Sequence, residues 1–189
     1  MNLSLKMSLG AVVLGLASLA TAASTPFAGA LTVNDPTFNR PQAGNPPTLL
    51  SAIGTSTSYD VFAFYVTAPD TYTLQTHSAA FAPGAADDTF IVLYQNTFAP
   101  ATALANALQA NDDNGASSLS LVAHPLSPGI QYFLVVTSYI NGAFGNYTGS
   151  ISNAGAGEAV LGAVPEPSSA LMMLAALGVG GLAAARRRA

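Results

Sequence analysis

The sequence predicts an all-β protein: an antiparallel, jelly-roll-like β-sandwich carried between an N-terminal signal peptide and a C-terminal transmembrane helix. Three observations lead there. Apolar residues in the middle of the chain recur with period two. Clusters of Pro, Gly, Asn and Asp break those runs at short intervals. Apolar stretches almost free of charge stand near the two ends, where four of the five basic residues also lie.

Taken in order, residues 1–22, "MNLSLKMSLGAVVLGLASLATA", hold one Lys, an apolar run from Leu9 to Ala20 and a small-x-small cleavage pattern at Ala20-Thr21-Ala22. They read as a signal peptide that leaves Ala23 as the first mature residue. The run is short for a spanning helix. Residues 23–47, ending in "NRPQAGNPP", read as an irregular lead-in.

The sandwich is expected over residues 48–152. "YDVFAFYV", "TFIVLYQ" and "QYFLVVTS" are apolar on both faces, as central strands are. In "TYTLQTH", Tyr72, Leu74 and Thr76 face one way; "SLSLVA" alternates through Leu119, Leu121 and Ala123; "NYTGSIS" turns Tyr147 and Ile151 inward. Turns at Ala68-Pro69-Asp70, Ser127-Pro128-Gly129 and Asn141-Gly142 separate these strands, about eight in number. Only residues 101–110, "ATALANALQA", show helical spacing, with Leu104 and Leu108 at i and i+4. Residues 153–164, "NAGAGEAVLGAV", read as a flexible stalk.

Residues 165–189 contain Pro165, Glu166 and Pro167, then 18 uncharged residues over 168–185, then Arg186, Arg187 and Arg188. As a helix the uncharged run would extend roughly 27 Å, close to the hydrocarbon thickness of a bilayer. The arginines would remain cytoplasmic, which places residues 23–164 outside the inner membrane.

This ordered triplet, helix and Arg cluster resembles the PEP-CTERM sorting signal of Gram-negative bacteria, whose tail is also catalogued under an ice-binding-protein label. The resemblance implies recognition of the triplet by exosortase, a membrane protease-transpeptidase, removal of the helix, and a role linked to exopolysaccharide and biofilm. A second resemblance covers about Tyr59 to Ile151. "YDVFAFYV", "DTYTLQTH", "DDTFIVLYQ", "NDDNGASSLSL" and "LSPGIQYFLVVTS" together are similar to the bacterial pre-peptidase C-terminal domain. That likeness implies a jelly-roll-like sandwich without catalysis, which assists secretion or binds polymers, some relatives with Ca²⁺.

Composition narrows the function further. Between the end segments Arg40 is the one basic residue, set against Asp35, Asp60, Asp70, Asp87, Asp88, Asp112, Asp113 and Glu158, a net charge of −7. Nucleic-acid binding needs cations for phosphates, so that partner is excluded. Cysteine is absent, which removes disulfides and thiolate chemistry. His77 and His124 sit at strand ends, and no serine lies in a Gly-x-Ser-x-Gly elbow, so an enzyme is not expected; a minor hydrolase is the remote alternative. Asp87, Asp88, Asp112 and Asp113 flank strands as acid pairs, and Ca²⁺ takes oxygen ligands of this kind; solvated turn acids are the plainer reading. Tyr139 with Asn141 and Asn146 is the candidate carbohydrate contact, because Tyr132 and Tyr147 read as core. Thr71 and Thr73 alone are too few for an ice-binding array. The expectation is an exported, non-catalytic surface or matrix protein, with a carbohydrate- or calcium-dependent binding module as the alternative.

Overall fold

The computed structural model describes residues 22–84 and 87–163. The signal peptide (apart from Ala22), the membrane helix and the sorting residues Pro165, Glu166, Pro167, Arg186, Arg187 and Arg188 lie outside the described residues. Ten strands follow one another: β1 (Ser24–Leu31), β2 (Thr37–Phe38), β3 (Thr57–Val66), β4 (Asp70–Ala79), β5 (Thr89–Gln95), β6 (Ala107–Asn111), β7 (Leu121–Leu126), β8 (Tyr132–Ser138), β9 (Gly145–Ser152) and β10 (Ala159–Leu161). They form an antiparallel β-sandwich. One sheet has the order β1-β9-β4-β7; the other runs β10-β3-β8-β5-β6, with β2 also on β3.

Period two explains the layer between the sheets. Phe64 and Val66 from β3, Ile91 and Leu93 from β5, and Leu134 and Val136 from β8 meet Tyr72, Leu74, Tyr147 and Ile151 from the other sheet, all nearly inaccessible. Residues of opposite parity on the same strands build a second core on the outer face of the six-stranded sheet. Phe90, Val92, Tyr94 and Val135 are buried there with Phe38 and Tyr59. Among the described residues no third sheet covers them. Phe98 packs edge-on against Phe38 and Tyr59 at 5.8 and 5.3 Å, and tilts onto Tyr94 at 4.8 Å. Strands apolar on both faces thus do occupy a central position, but one of their faces is closed by connecting segments.

Four expectations are corrected. Residues 23–47 are no irregular lead-in. β1 is an edge strand paired to β9 along its whole length, with Phe27 and Leu31 buried. Its alternation was hidden at Gly29, where a Cβ would run into the Tyr147 hydroxyl and Asp60. Residues 38–44 then cross the outer face of the sheet, from β2 on β3 to a bridge between Gly44 and Ala110 of β6. Second, residues 101–110 form a 3-10 turn at Pro100–Thr102 followed by β6, because Asn106 takes a left-handed φ of 61° that ends any helix. Third, in β7 the buried residues are Val122 and Leu126, not Leu121 and Ala123. Pro125 is tolerated because β7 is an edge strand. Fourth, the expected stalk over 153–164 is, in its described residues 153–163, not free. Gly155 N–H donates to Asp70 Oδ2 at 3.0 Å, β10 zips onto β3, and Thr25 Oγ1 donates to Ala159 O at 2.6 Å. The sandwich therefore extends beyond 48–152 on both sides.

Candidate functional site

Arg40 lies in the segment that crosses the outer face, and it is only 2% exposed. Its guanidinium stacks over Phe90, 3.8 Å from the ring centroid, with the Tyr139 ring 4.9 Å away. Nη2 and Nε donate to Tyr139 O at 2.8 and 3.3 Å, and Nη1 donates to Pro41 O at 3.0 Å. Gly54 is required beside it, because a Cβ there would collide with the arginine side chain. Burial lowers the Arg40 pKa, and Asp112, Tyr139 and Asp88 oppose that effect. A shallow cavity of about 280 Å³ opens here, lined by Arg40, Gln42, Ser51, Ile53, Asp112 and Tyr139.

The four candidate calcium acids reach the same end of the sheet. β5 and β6 pair with Ile91 opposite Asn111, so the residues before β5 and after β6 are neighbours. A buried knot of hydroxyls fixes this corner. Thr76 Oγ1, from the four-stranded sheet, lies 2.7 Å from Thr89 Oγ1, and Ser120 N–H donates to both hydroxyls at 2.9 Å. Ser120 Oγ donates to Asp112 O at 2.9 Å. Asp88 is half-buried; desolvation first, then the fields of Asp113 and Asp112, raise its pKa to about 6, with Arg40 opposing and Asp87 adding slightly. Among the described residues, no three acidic or histidine side chains are grouped closely enough to hold a metal ion. The acids share a field without forming a ligand shell in this arrangement.

The structure divides the candidate carbohydrate residues. Tyr139 borders the cavity, stacked on Arg40. Asn141 holds the loop beside it, accepting from Ser56 N–H at 2.8 Å and donating to Thr55 Oγ1 at 2.9 Å. Asn146 does not join them. It lies in β9 opposite Ala30, because the connection after β8 crosses to the other sheet. Tyr132 and Tyr147 are core residues, as read from the sequence. The Tyr147 hydroxyl donates to Asp60 Oδ2 at 2.6 Å, and burial raises both pKa values. His77 Nε2 lies 2.7 Å from Ser150 Oγ, and His124 Nδ1 lies 3.4 Å from Gln109 Oε1; both partners are neutral. Arg40 was missed as a site residue. Its signal was its isolation, the one cation in an acidic stretch.

Residues 163–188 match the family model described as the PEP-CTERM protein-sorting motif. That motif implies export, a membrane-anchored precursor and processing by exosortase, itself a membrane protein. No curated protein matches the chain.

Proposed function

We propose that this chain is a non-catalytic surface or extracellular-matrix protein that acts in association with exopolysaccharide after exosortase has sorted it. The observation that carries the reading is the sorting motif over residues 163–188, placed directly after a folded acidic body. The body supports a passive role: both histidines bond neutral partners, and the one Lys or Arg among the described residues, Arg40, is buried. The test lies at the tail. Removal of the helix after the triplet yields a mature protein without residues 171–189. Replacing Pro165, Glu166 and Pro167 by alanine is expected to leave an uncleaved, membrane-bound precursor. Recovery of a C-terminal peptide containing Arg188 from the surface or medium fraction would reduce the tail to an anchor.

A calcium-dependent binding module is the second reading, favoured by the convergence of Asp87, Asp88, Asp112 and Asp113 at one corner. An acidic body repels anionic polymers, and a bridging divalent cation would reverse that repulsion. Millimolar Ca²⁺ is expected to raise the melting temperature of the protein, since a ligand of the folded state alone stabilises it. Asp113→Ala should cancel the rise. A melting curve indifferent to Ca²⁺ returns these acids to solvated turns.

A further inference from the structure

Asn-Gly occurs twice in the chain, each time followed by alanine: Asn114-Gly115-Ala116 and Asn141-Gly142-Ala143. In such a pair the glycine nitrogen can attack the asparagine side-chain amide, because no Cβ shields its approach. Both glycines take the same left-handed backbone, with φ of 66° at Gly115 and 73° at Gly142. A Cβ at either would meet nothing within 4 Å. Local sequence and turn conformation therefore make the two sites alike. What separates them is how each asparagine side chain is held.

Asn141 is clamped at both ends of its amide. Oδ1 accepts from Ser56 N–H at 2.8 Å, and Nδ2 donates to Thr55 Oγ1 at 2.9 Å. Turning its Cγ onto the Gly142 nitrogen would break both bonds. Asn114 is held only by its backbone, at the head of a tight turn. Its N–H donates to Ser117 O at 3.0 Å, and its C=O accepts from Ser117 N–H at 3.2 Å. Among the described residues neither the Asn114 side chain nor the Gly115 N–H has a hydrogen-bond partner, and residues 113–117 are all exposed. The base of this turn is fixed separately: Asn111 Nδ2 donates to Asp113 O at 2.7 Å and to Leu121 O at 2.8 Å. The Asn114 side chain thus swings without opening the sheet.

We propose that Asn114 is a self-modification site, at which the Gly115 nitrogen closes on the side-chain amide and water completes conversion to aspartate and isoaspartate. Gly115 N gives up its proton and bonds to Asn114 Cγ. The Cγ–Nδ2 bond breaks, and Nδ2 leaves with a proton as ammonia. Water then opens the ring imide. Cleavage at Cγ restores the main chain with an aspartate; cleavage at the Asn114 carbonyl carbon routes the main chain through Cγ as isoaspartate. Either product adds a carboxylate next to Asp112 and Asp113, in a body whose net charge is already −7. Isoaspartate also lengthens the main chain by one atom inside the turn, so the two bonds between 114 and 117 cannot both persist. This chemistry rests on neither the sorting reading nor the calcium one.

Full-length protein in detergent micelles, held at mildly alkaline pH and sampled over time by peptide mass, tests the site. Asn114 should convert at least about tenfold faster than Asn141, the factor that two clamping hydrogen bonds impose. In denaturant the two rates should converge, because both sites read Asn-Gly-Ala. Fragmentation of the converted peptide should find isoaspartate beside aspartate at 114. Gly115→Ala, whose Cβ shields the nitrogen, should slow conversion at 114 and leave Asn141 unchanged. Equal rates at the two sites in the folded protein would overturn the proposal, as would an Asn114 that converts only in denaturant. Aspartate without isoaspartate, or a Gly115→Ala chain that converts as fast as the unaltered one, would exclude the ring intermediate and overturn it as well.

Discussion

At the scale of single residues, a buried cation, Arg40, and a perturbed acid, Asp88, act on the outer face of the six-stranded sheet in opposite senses. Arg40 has no carboxylate within ion-pair distance among the described residues; carbonyl oxygens and two aromatic faces take its charge instead. Only a planar fork can bond two carbonyls while lying on a ring. Arg40→Lys is therefore expected to cost about 2 kcal/mol in denaturant unfolding despite keeping the charge. Asp88 acts in the opposite sense. Its folded pKa, about 6, lies above that of the unfolded chain, about 3.9, so the folded state holds the proton more tightly. Stability consequently falls as pH rises from about 4 to about 6, and the penalty is complete above that window. Solvent still reaches Asp88, which reduces the penalty to about 1 kcal/mol. Asp88→Asn should raise the melting temperature by about 4 °C at pH 7.5 and leave it unchanged at pH 4. An equal change at both pH values would trace the effect to packing.

At the scale of elements, legibility depended on whether a strand showed its own periodicity. β3, β5 and β8 could be read because Phe, Ile, Val and Leu fill consecutive positions. β1 could not, since Gly29 occupies an inward position whose space Tyr147 and Asp60 take from distant parts of the chain. β10 shows only three residues and depends on β3 for its form. The segment over the outer face has no repeat to read, because its contacts are made one residue at a time by Phe38, Arg40 and Gly44. In the candidate site the acids were legible as turn pairs, whereas their shared corner depends on the β5–β6 register and the Thr76–Thr89–Ser120 knot. The outer core gives a direct check. Phe38 is 4% exposed, and Phe38→Ala should destabilise the protein by about 3 kcal/mol. A surface residue of an irregular lead-in would change stability by no more than about 0.5 kcal/mol.

At the scale of the whole molecule, both ends of the exported body are built into one sandwich. Asn153 N–H donates to Ala23 O at 3.2 Å, β1 completes the edge of one sheet, β10 completes the other, and Thr25 ties the two together. Residues 23–25 and the last residues before the sorting motif are thus held side by side. A cut after Ala22 releases the chain one residue before Ser24, where β1 begins, so the signal-peptide reading is compatible with an intact sheet. A body organised in this way should unfold as one unit, because removing either terminal strand exposes the shared core. Deleting residues 23–31 would strip Phe27 and Leu31 from that core and uncover β9 along its full length. Unfolding of residues 23–163, followed by circular dichroism and by tyrosine fluorescence, should give coincident transitions; the deleted chain should show no cooperative transition at all. Two separated transitions in the intact body, or a deleted chain that still melts sharply, would mean that β1 decorates a sandwich able to stand without it.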